Sequence, residues 1–400
     1  MTGAVTEGAR PDQARRHNRT AVLRRLHLDG PCTRAVLVTE LGLNRSTIKA
    51  VVDELAAAGL VAERVPSMRS GAGRPSLLVL PQPHAAVVLA VDVQVEQVAM
   101  ALVGLGGELL GRCSWKLRGR SREPVEMITR IVDSTEMLTE ELGRGVVAAG
   151  VSVPGMVRQE DGLVREAPNL RWFDVPLGQR LTAALHVPVR VGNDAELGAL
   201  AEHSRGIAKG ISDMVFLAAD VGVGGGVISA DSPLRGSRGY LGELGHMVVR
   251  PDGRECYCGA RGCWETEVGE AALCRALGLP ADVARGVVIA ELHALSADPA
   301  AALRRLGEFA DWLTLGLVNV VNLLAPELVV LGDLLTDVPP VVLERVSQLV
   351  HERSLVSRAV GPTRIVSSAL GRHAQIVGAG ELAFALILDA ASFTPSTALD

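Results

Sequence analysis

The chain has 400 residues, of which 48% are hydrophobic and 21% charged, with a formal charge of −5. That length predicts two or three domains with real cores, built from Val, Leu, Ala and Ile because only 3% of residues are aromatic. No apolar run approaches the roughly 20 residues that span a bilayer. Residues 1–25 are polar and Arg-rich, unlike a secretory signal, so the chain is expected in the cytoplasm with no membrane association.

The average charge hides an asymmetry. Residues 1–80 hold 12 Lys/Arg against 7 Asp/Glu, a net +5, which leaves a net −10 on the remainder. A basic head on an acidic body points to a nucleic-acid reader attached to something else. Arg15 to Leu28 reads as a helix with Arg15, Arg16, Arg19, Arg24 and Arg25 on a basic face. Thr33 caps a second helix, Arg34 to Leu41, which Gly42 stops; Asn44 or Ser46 caps a third, Thr47 to Ala58, with Ile48, Val51, Val52 and Leu55 inward and Gly59 closing it. Two short apolar segments, Leu60–Val65 and Leu77–Leu80, flank a loop carrying Gly71, Gly73, Arg69 and Arg74. Helix, tight turn, helix and hairpin together spell a winged helix-turn-helix over residues 1–82. Its candidate DNA contacts are Asn44, Arg45, Ser46, Thr47 and Lys49 on the recognition helix, with Arg69 and Arg74 on the wing.

Pro81-Gln-Pro83 marks the linker to the body. Strands are expected at Ala85–Asp92, Gln97–Val103, Val146–Val153, Val187–Val191, Met214–Ala219 and Leu328–Leu331. Helices are expected at Pro124–Leu142 and Leu303–Leu324. Their alternation indicates an α/β body of two lobes, 83–195 and 196–400, with the last helix returning to the first lobe.

The sharpest chemical signal is His246 followed by Cys256, Cys258 and Cys263. Three thiolates and an imidazole complete a tetrahedral zinc shell with no open position, so the site reads as structural, its net −1 charge offset by Arg254 and Arg261. Glu243 and Glu265 flank these ligands, and Gly192-Asn193-Asp194 follows a strand at the edge where α/β sheets place ligand-binding residues. Carboxylates held in fixed positions suit the hydroxyls of a sugar.

With these residues in view, the chain resembles the ROK family (repressors, open reading frames, kinases) in its transcriptional-regulator branch. The resemblance rests on Val153-Pro-Gly155, Gly192-Asn-Asp194, Gly242-Glu-Leu-Gly-His246, the Cys256–Glu265 segment and Asn322-Leu-Leu-Ala-Pro-Glu327 in the body. In the head it rests on His17-Asn18-Arg19 and Gly71-Ala-Gly-Arg-Pro75. It implies an actin-like, hexokinase-type fold with sugar in the cleft. It also implies sugar contacts at Asn193, Asp194, Glu243, His246 and Glu265, and zinc on His246, Cys256, Cys258 and Cys263. In the family's kinases the Asp matching Asp194 is the general base.

The nucleotide loops depart from the family. Asp-x-Gly-Gly-Thr has become Asp92-Val-Gln-Val-Glu96, the second loop opens Asp220-Val-Gly-Val, and a Gly-Gly pair has become Gly332-Asp333. Asp220 and Glu96 set negative charge where phosphate would lie, and like charges about 4 Å apart repel by roughly 4 kcal/mol at an effective dielectric near 20. The expectation is therefore a non-enzyme with no catalytic residue: a sugar- or sugar-phosphate-responsive repressor, a homodimer or homotetramer reading an inverted-repeat operator. The rivals are a sugar kinase with a regulatory head, and a regulator whose body senses a protein.

Overall fold

The computed structural model describes residues 11–65, 77–118, 122–236 and 239–388. The head comprises α1 (Pro11–Asp29), β1 (Cys32–Thr33), α2 (Arg34–Leu41), α3 (Arg45–Ala57), β2 (Val61–Arg64) and β3 (Leu78–Pro81). Its helices start and stop for the local reasons expected. Thr33 Oγ1 accepts from the Val36 amide, Gly42 takes φ 64°, and Asn44 Oδ1 accepts from the Thr47 amide, which makes Asn44 the cap of α3. At the other end Gly59 takes φ 72° while the Gly59 and Leu60 amides bond the carbonyls of Ala56 and Leu55, a Schellman closure. Ile48, Val51, Val52 and Leu55 are all buried. The strands pair in the order β1-β3-β2. Arg69 and Arg74 lie outside the described residues, as does the tail beyond Leu388.

The first lobe follows with β4 (Val87–Val93), β5 (Gln97–Gly104), β6 (Leu109–Lys116), α4 (Pro124–Leu142), β7 (Ala148–Val153), β8 (Met156–Arg158), β9 (Leu163–Ala167), β10 (Trp172–Val175), α5 (Leu177–Leu185) and β11 (Val189–Asn193). Helix α6 (Asp194–Ser204) leads to the second lobe. There lie β12 (Met214–Ala219), β13 (Val223–Ser229), β14 (Ser232–Pro233), α7 (Glu265–Val268), α8 (Glu270–Ala276), α9 (Arg285–Leu295), α10 (Pro299–Arg305), α11 (Gly307–Leu324), β15 (Leu328–Asp333), α12 (Pro340–Arg353), α13 (Leu355–Val360), β16 (Arg364–Ser367) and α14 (Ala374–Leu388).

Each lobe carries a five-stranded sheet, ordered β11-β7-β4-β5-β6 and β14-β13-β12-β15-β16. Numbered within its own lobe, each runs 5-4-1-2-3, with the first three strands antiparallel and the fourth and fifth parallel to the first. One lobe is thus a topological copy of the other. Helix α14 returns to pack on β4 and β7 of the first lobe, against α6. The approach is close enough that a methyl on Gly150 would strike the Ala379 carbonyl, and one on Gly378 the Leu197 carbonyl.

One expectation is corrected: the helix read as Leu303–Leu324 is broken at Leu306–Gly307 into α10 and α11. The glycine-rich stretch after Asp220 forms the strand β13, paired with β12. Its glycines serve packing: a Cβ on Gly224 or Gly226 would collide with Ala195 in α6, and one on Gly225 with Leu244.

Candidate effector cleft and metal centre

The cleft between the lobes is assembled from chain ends that the sheets hold still. At the end of β11, Asn193 caps α6, its Oδ1 accepting from the amides of Ala195 (2.9 Å) and Glu196 (3.1 Å) while its Nδ2 donates to the Gly155 carbonyl at 3.0 Å. That fixes Asp194, the first residue of α6, whose carboxyl is pushed well above the ordinary range by enclosure, with Asp333 adding repulsion. Facing β13, the turn at Gly242 (φ 94°) accepts from the Gly225 amide and delivers Glu243 and His246. No hydrogen bond among the described residues joins Asp194 to Glu243, His246 or Glu265; β13 packs between their anchors.

The second group is compact. His246 Nδ1 lies 3.6 Å from Cys256 Sγ and 3.6 Å from Glu265 Oε1, and Cys258 Sγ lies 3.6 Å from Cys263 Sγ. The ligand atoms of His246, Cys256, Cys258 and Cys263 all fall within 4.8 Å of one another. Tetrahedral zinc with thiolate bonds of about 2.3 Å has ligand-to-ligand edges of about 3.7 Å, so this donor set fits the ion in both chemistry and size. The loop is tied at both ends. Val248 and Cys263 form one bridge and Glu255 and Arg261 another, and the buried Trp264 sits against Gly316 of α11 with its indole N–H donating to the Trp312 carbonyl at 2.9 Å. Glu265, next in sequence, starts α7 and is carried by the same anchor. His246 works on two sides: Nδ1 faces the thiols, while Nε2 meets the Tyr257 hydroxyl at 2.9 Å and lies 3.8 Å from Glu243. Tyr257 was not singled out in the sequence, although its place between Cys256 and Cys258 was the available signal. The expected offset of the thiolate charge by Arg254 and Arg261 is not found. Arg254 bonds the buried Glu267 at 3.0 and 3.1 Å, and Arg261 pairs with Glu255.

On the opposite side of the cleft, side chains bond to one another at the positions where the sequence departs from the nucleotide loops of the family it resembles. In the β4–β5 turn Gln94 donates to the buried Asp92 at 2.6 Å and accepts from Gln97 at 2.9 Å, so side chains fill the turn. Glu96 points into solvent and contributes little of the expected repulsion. Asp220 is also not the bare anion anticipated. It is ion-paired with Arg285, which simultaneously grips Glu270 at 3.1 and 3.2 Å. Arg285 lies on α9, 65 positions downstream, and nothing in the local sequence announced it. Asp220 thus belongs to an ion cluster with Arg285 and Glu270 and is not an isolated charge. Asp333 stands at φ 50°, ψ −128°, a conformation suited to glycine, with both carboxyl oxygens 3.0 Å from Gln375 Nε2. Burial raises the carboxyls of Asp92 and Asp333 to about 6 and about 7. Asp92, Asp194, Asp220, Asp333 and Gln375 line a cavity of about 50 Å³, an order of magnitude below the volume of a typical ligand pocket. A groove of about 1140 Å³ adjoins it, sharing Asp92, Gln94, Arg285 and Arg372, and runs along β5 and β6 beside α14 past Arg112, Lys116 and Arg205.

In the head, Asn44, Arg45, Ser46 and Lys49 are exposed and Thr47 is half-buried. Asn44 also receives the Ser46 hydroxyl at 2.7 Å, and Lys49 pairs with Asp53 at 2.6 Å. The basic face of α1 is less free than its sequence suggested, because Arg15 and Arg19 face Glu54 and Arg25 pairs with Glu40 and Asp29.

Residues 88–385 match the ROK family. The xylose repressor of Bacillus spizizenii is 29% identical over 380 residues, covering 93% of this chain and 96% of that protein. Among solved structures, a ROK family transcriptional regulator described as a homologue of the Escherichia coli MLC protein superposes with a TM-score of 0.74 at 25% identity, covering 92% of this chain and 95% of that one. A ROK family glucokinase from Streptomyces griseus, solved with glucose and AMPPNP, superposes with a TM-score of 0.66 at 27% identity, covering 75% of this chain and all of the enzyme. The two copied lobes and the cleft between them therefore have one source: this chain belongs to the ROK family.

Proposed function

We propose that the protein is a sugar-responsive, DNA-binding transcriptional regulator, a repressor that reads an inverted-repeat operator as a homodimer or homotetramer in the cytoplasm and does not phosphorylate its effector. The observation that carries this reading is the asymmetry of the cleft. Its sugar side keeps Asn193, Asp194, Glu243, His246 and Glu265, while Asp333 and the Asp220–Arg285–Glu270 cluster occupy its nucleotide side. Likeness to the regulator spans 92% of the chain and likeness to the kinase 75%, which supports a functional head. The name of the xylose relative makes an aldose such as xylose the first effector to try.

His246 through Nδ1, with Cys256, Cys258 and Cys263, would hold a structural zinc, which supplies a rigid cross-link and no chemistry of reaction. That cross-link sets His246 Nε2, Glu243 and Glu265 to accept or share hydrogen bonds with sugar hydroxyls from one wall. From the other wall Asp194 accepts a hydrogen bond from a sugar hydroxyl, with no phosphoryl donor for that hydroxyl to attack. Bridging the two walls closes the cleft. The head, a winged helix-turn-helix over residues 1–82, lays α3 in the major groove with Arg45, Thr47 and Lys49 outward and Asn44 and Ser46 at its start, while Arg69 and Arg74 supply the wing. Sugar and operator then oppose each other by one shared factor.

A gel shift on the protein's own upstream region, titrated with xylose, glucose and their phosphates, tests this reading. Release of the operator by one of them is expected. Sugar-dependent ATP hydrolysis by the purified protein, with operator binding indifferent to sugar, would sink it.

A further inference from the structure

The head is not a bead on a string. Val22, Leu23 and Leu26 of α1 share one continuous apolar core with Ala383, Phe384, Ile387 and Leu388 of α14 and with Leu105 of the first lobe. Thr20 donates to the Leu388 carbonyl at 3.1 Å. Inside this core sits His27, fully buried. Its Nδ1 accepts from the Gly106 amide at 3.0 Å, while its Nε2 lies 3.1 Å from a Glu381 carboxylate oxygen and 2.8 Å from Arg205 Nη2. Arg205 grips the other oxygen of Glu381, donates to the His27 carbonyl at 3.1 Å and reaches the Gly106 carbonyl at 3.4 Å. The imidazole packs on Phe384 with ring centroids 4.0 Å apart. Lys209 adds an ion pair to Asp29 at the end of α1. Gly107 is needed here, because a Cβ would strike the Arg205 guanidinium.

The partners of His27 come from two helices whose other ends lie in the cleft. Helix α6 begins at Asp194 and is followed by its C-cap Arg205, a rod of about 16 Å at 1.5 Å per residue. Helix α14 carries Gln375, bonded to Asp333, and six residues later Glu381, bonded to His27. Because α6 and α14 are packed backbone to backbone at Gly378, neither moves alone. A polar node in an apolar interface is costly to leave half-made, so it enforces one register between head and body.

We propose that His27, Arg205 and Glu381 form a latch that converts movement of α6 and α14 at the cleft into reorientation of the DNA-reading head. They are positioning residues: none touches sugar or DNA. The inference rests on the regulatory reading above, and its test separates the two.

The full-length, zinc-loaded protein is compared with Glu381→Gln, which keeps the side-chain shape and removes the charge, and with His27→Gln as a second route. Sugar affinity is measured by calorimetry with D-xylose and D-glucose, and operator affinity by anisotropy with and without sugar. Hydrogen exchange follows the Gly106 amide and those of Leu26–Asp29. In the parent, sugar is expected to change operator affinity at least tenfold. In either variant that ratio should fall below about threefold with sugar affinity within threefold of the parent, and exchange at Gly106 should accelerate at least tenfold. Folded variants that keep the parent's full ratio would overturn the latch. If the parent itself ignores both sugars, the regulatory reading has failed for these effectors and exchange decides alone: an unchanged Gly106 amide in both variants would dispose of the latch.

Discussion

Replacing Asp333 by glycine should stabilise the protein, and by an amount that depends on pH. The native residue sits at φ 50°, ψ −128°, strain worth about 1–3 kcal/mol for a side chain with a Cβ. Its carboxyl rises from 3.8 to about 7, mainly through burial and then through repulsion from Asp220. Roughly three pH units at about 1.4 kcal/mol each give an upper bound near 4 kcal/mol for holding the charge in the cleft. Against this, glycine loses the charged contact to Gln375, about 1.5–3 kcal/mol, and adds about 0.5–1 kcal/mol of backbone entropy to the unfolded chain. With the charge held at that bound, the balance is a gain of about 1–5 kcal/mol at pH 7.5. The sign of its pH dependence follows from proton counting. Between pH 4 and 7 the folded chain holds a proton on Asp333 that the unfolded chain has released, so the parent loses stability as pH rises through that window. Near pH 4.5 the carboxyl is neutral in the fold, and the advantage of glycine should shrink to the strain term less the lost contact and the entropy cost. Urea unfolding of parent and Asp333→Gly at pH 4.5 and 7.5 measures both numbers. A variant that is less stable than the parent at pH 7.5, or whose gain is equal at both pH values, would refute the assignment of strain and enclosed charge to this residue.

Three further outcomes are expected. Metal analysis of the purified protein should find about one zinc per chain, and Cys256→Ser or chelation should weaken sugar binding at least tenfold by releasing Glu265 and His246, as calorimetry would register. Asp194→Ala should abolish the sugar-dependent change in operator binding while leaving sugar-free operator affinity within about twofold, a split readable in one anisotropy titration. Asn44→Ala should lower the stability of the head by about 1 kcal/mol through loss of the α3 cap, while Arg45→Ala should leave melting unchanged and weaken operator binding with a shallower salt dependence.

Much of the molecule was legible residue by residue. The caps at Thr33 and Asn44, the stops at Gly42 and Gly59 and the cluster of His246 with Cys256, Cys258 and Cys263 depend on near neighbours in the chain, and local chemistry is what a sequence writes down. Helix α4 was read at Pro124–Leu142 for the same reason, from a proline start and an apolar stripe. Strands β6, β8, β9 and β10 were not anticipated, since half of β6 and the hairpin around Leu163 face solvent and carry no continuous apolar run. The same limit governed the cleft: Asp220 without Arg285 reads as a repulsive anion.

The sequence by itself determined the elements and the chemical kinds present: a basic helical head, a three-thiol loop, and carboxylates beside that loop and at the end of a strand. Only the tertiary structure decided who partners whom. The duplication of the two sheets, the pairing of Arg285 with Asp220, and the meeting of His27 with residues 178 and 354 positions away are products of chain topology. Their physical reason is common to all three. Burial makes an unpaired polar group expensive, and the partner that relieves it is chosen by packing in space, which spacing along the chain does not encode.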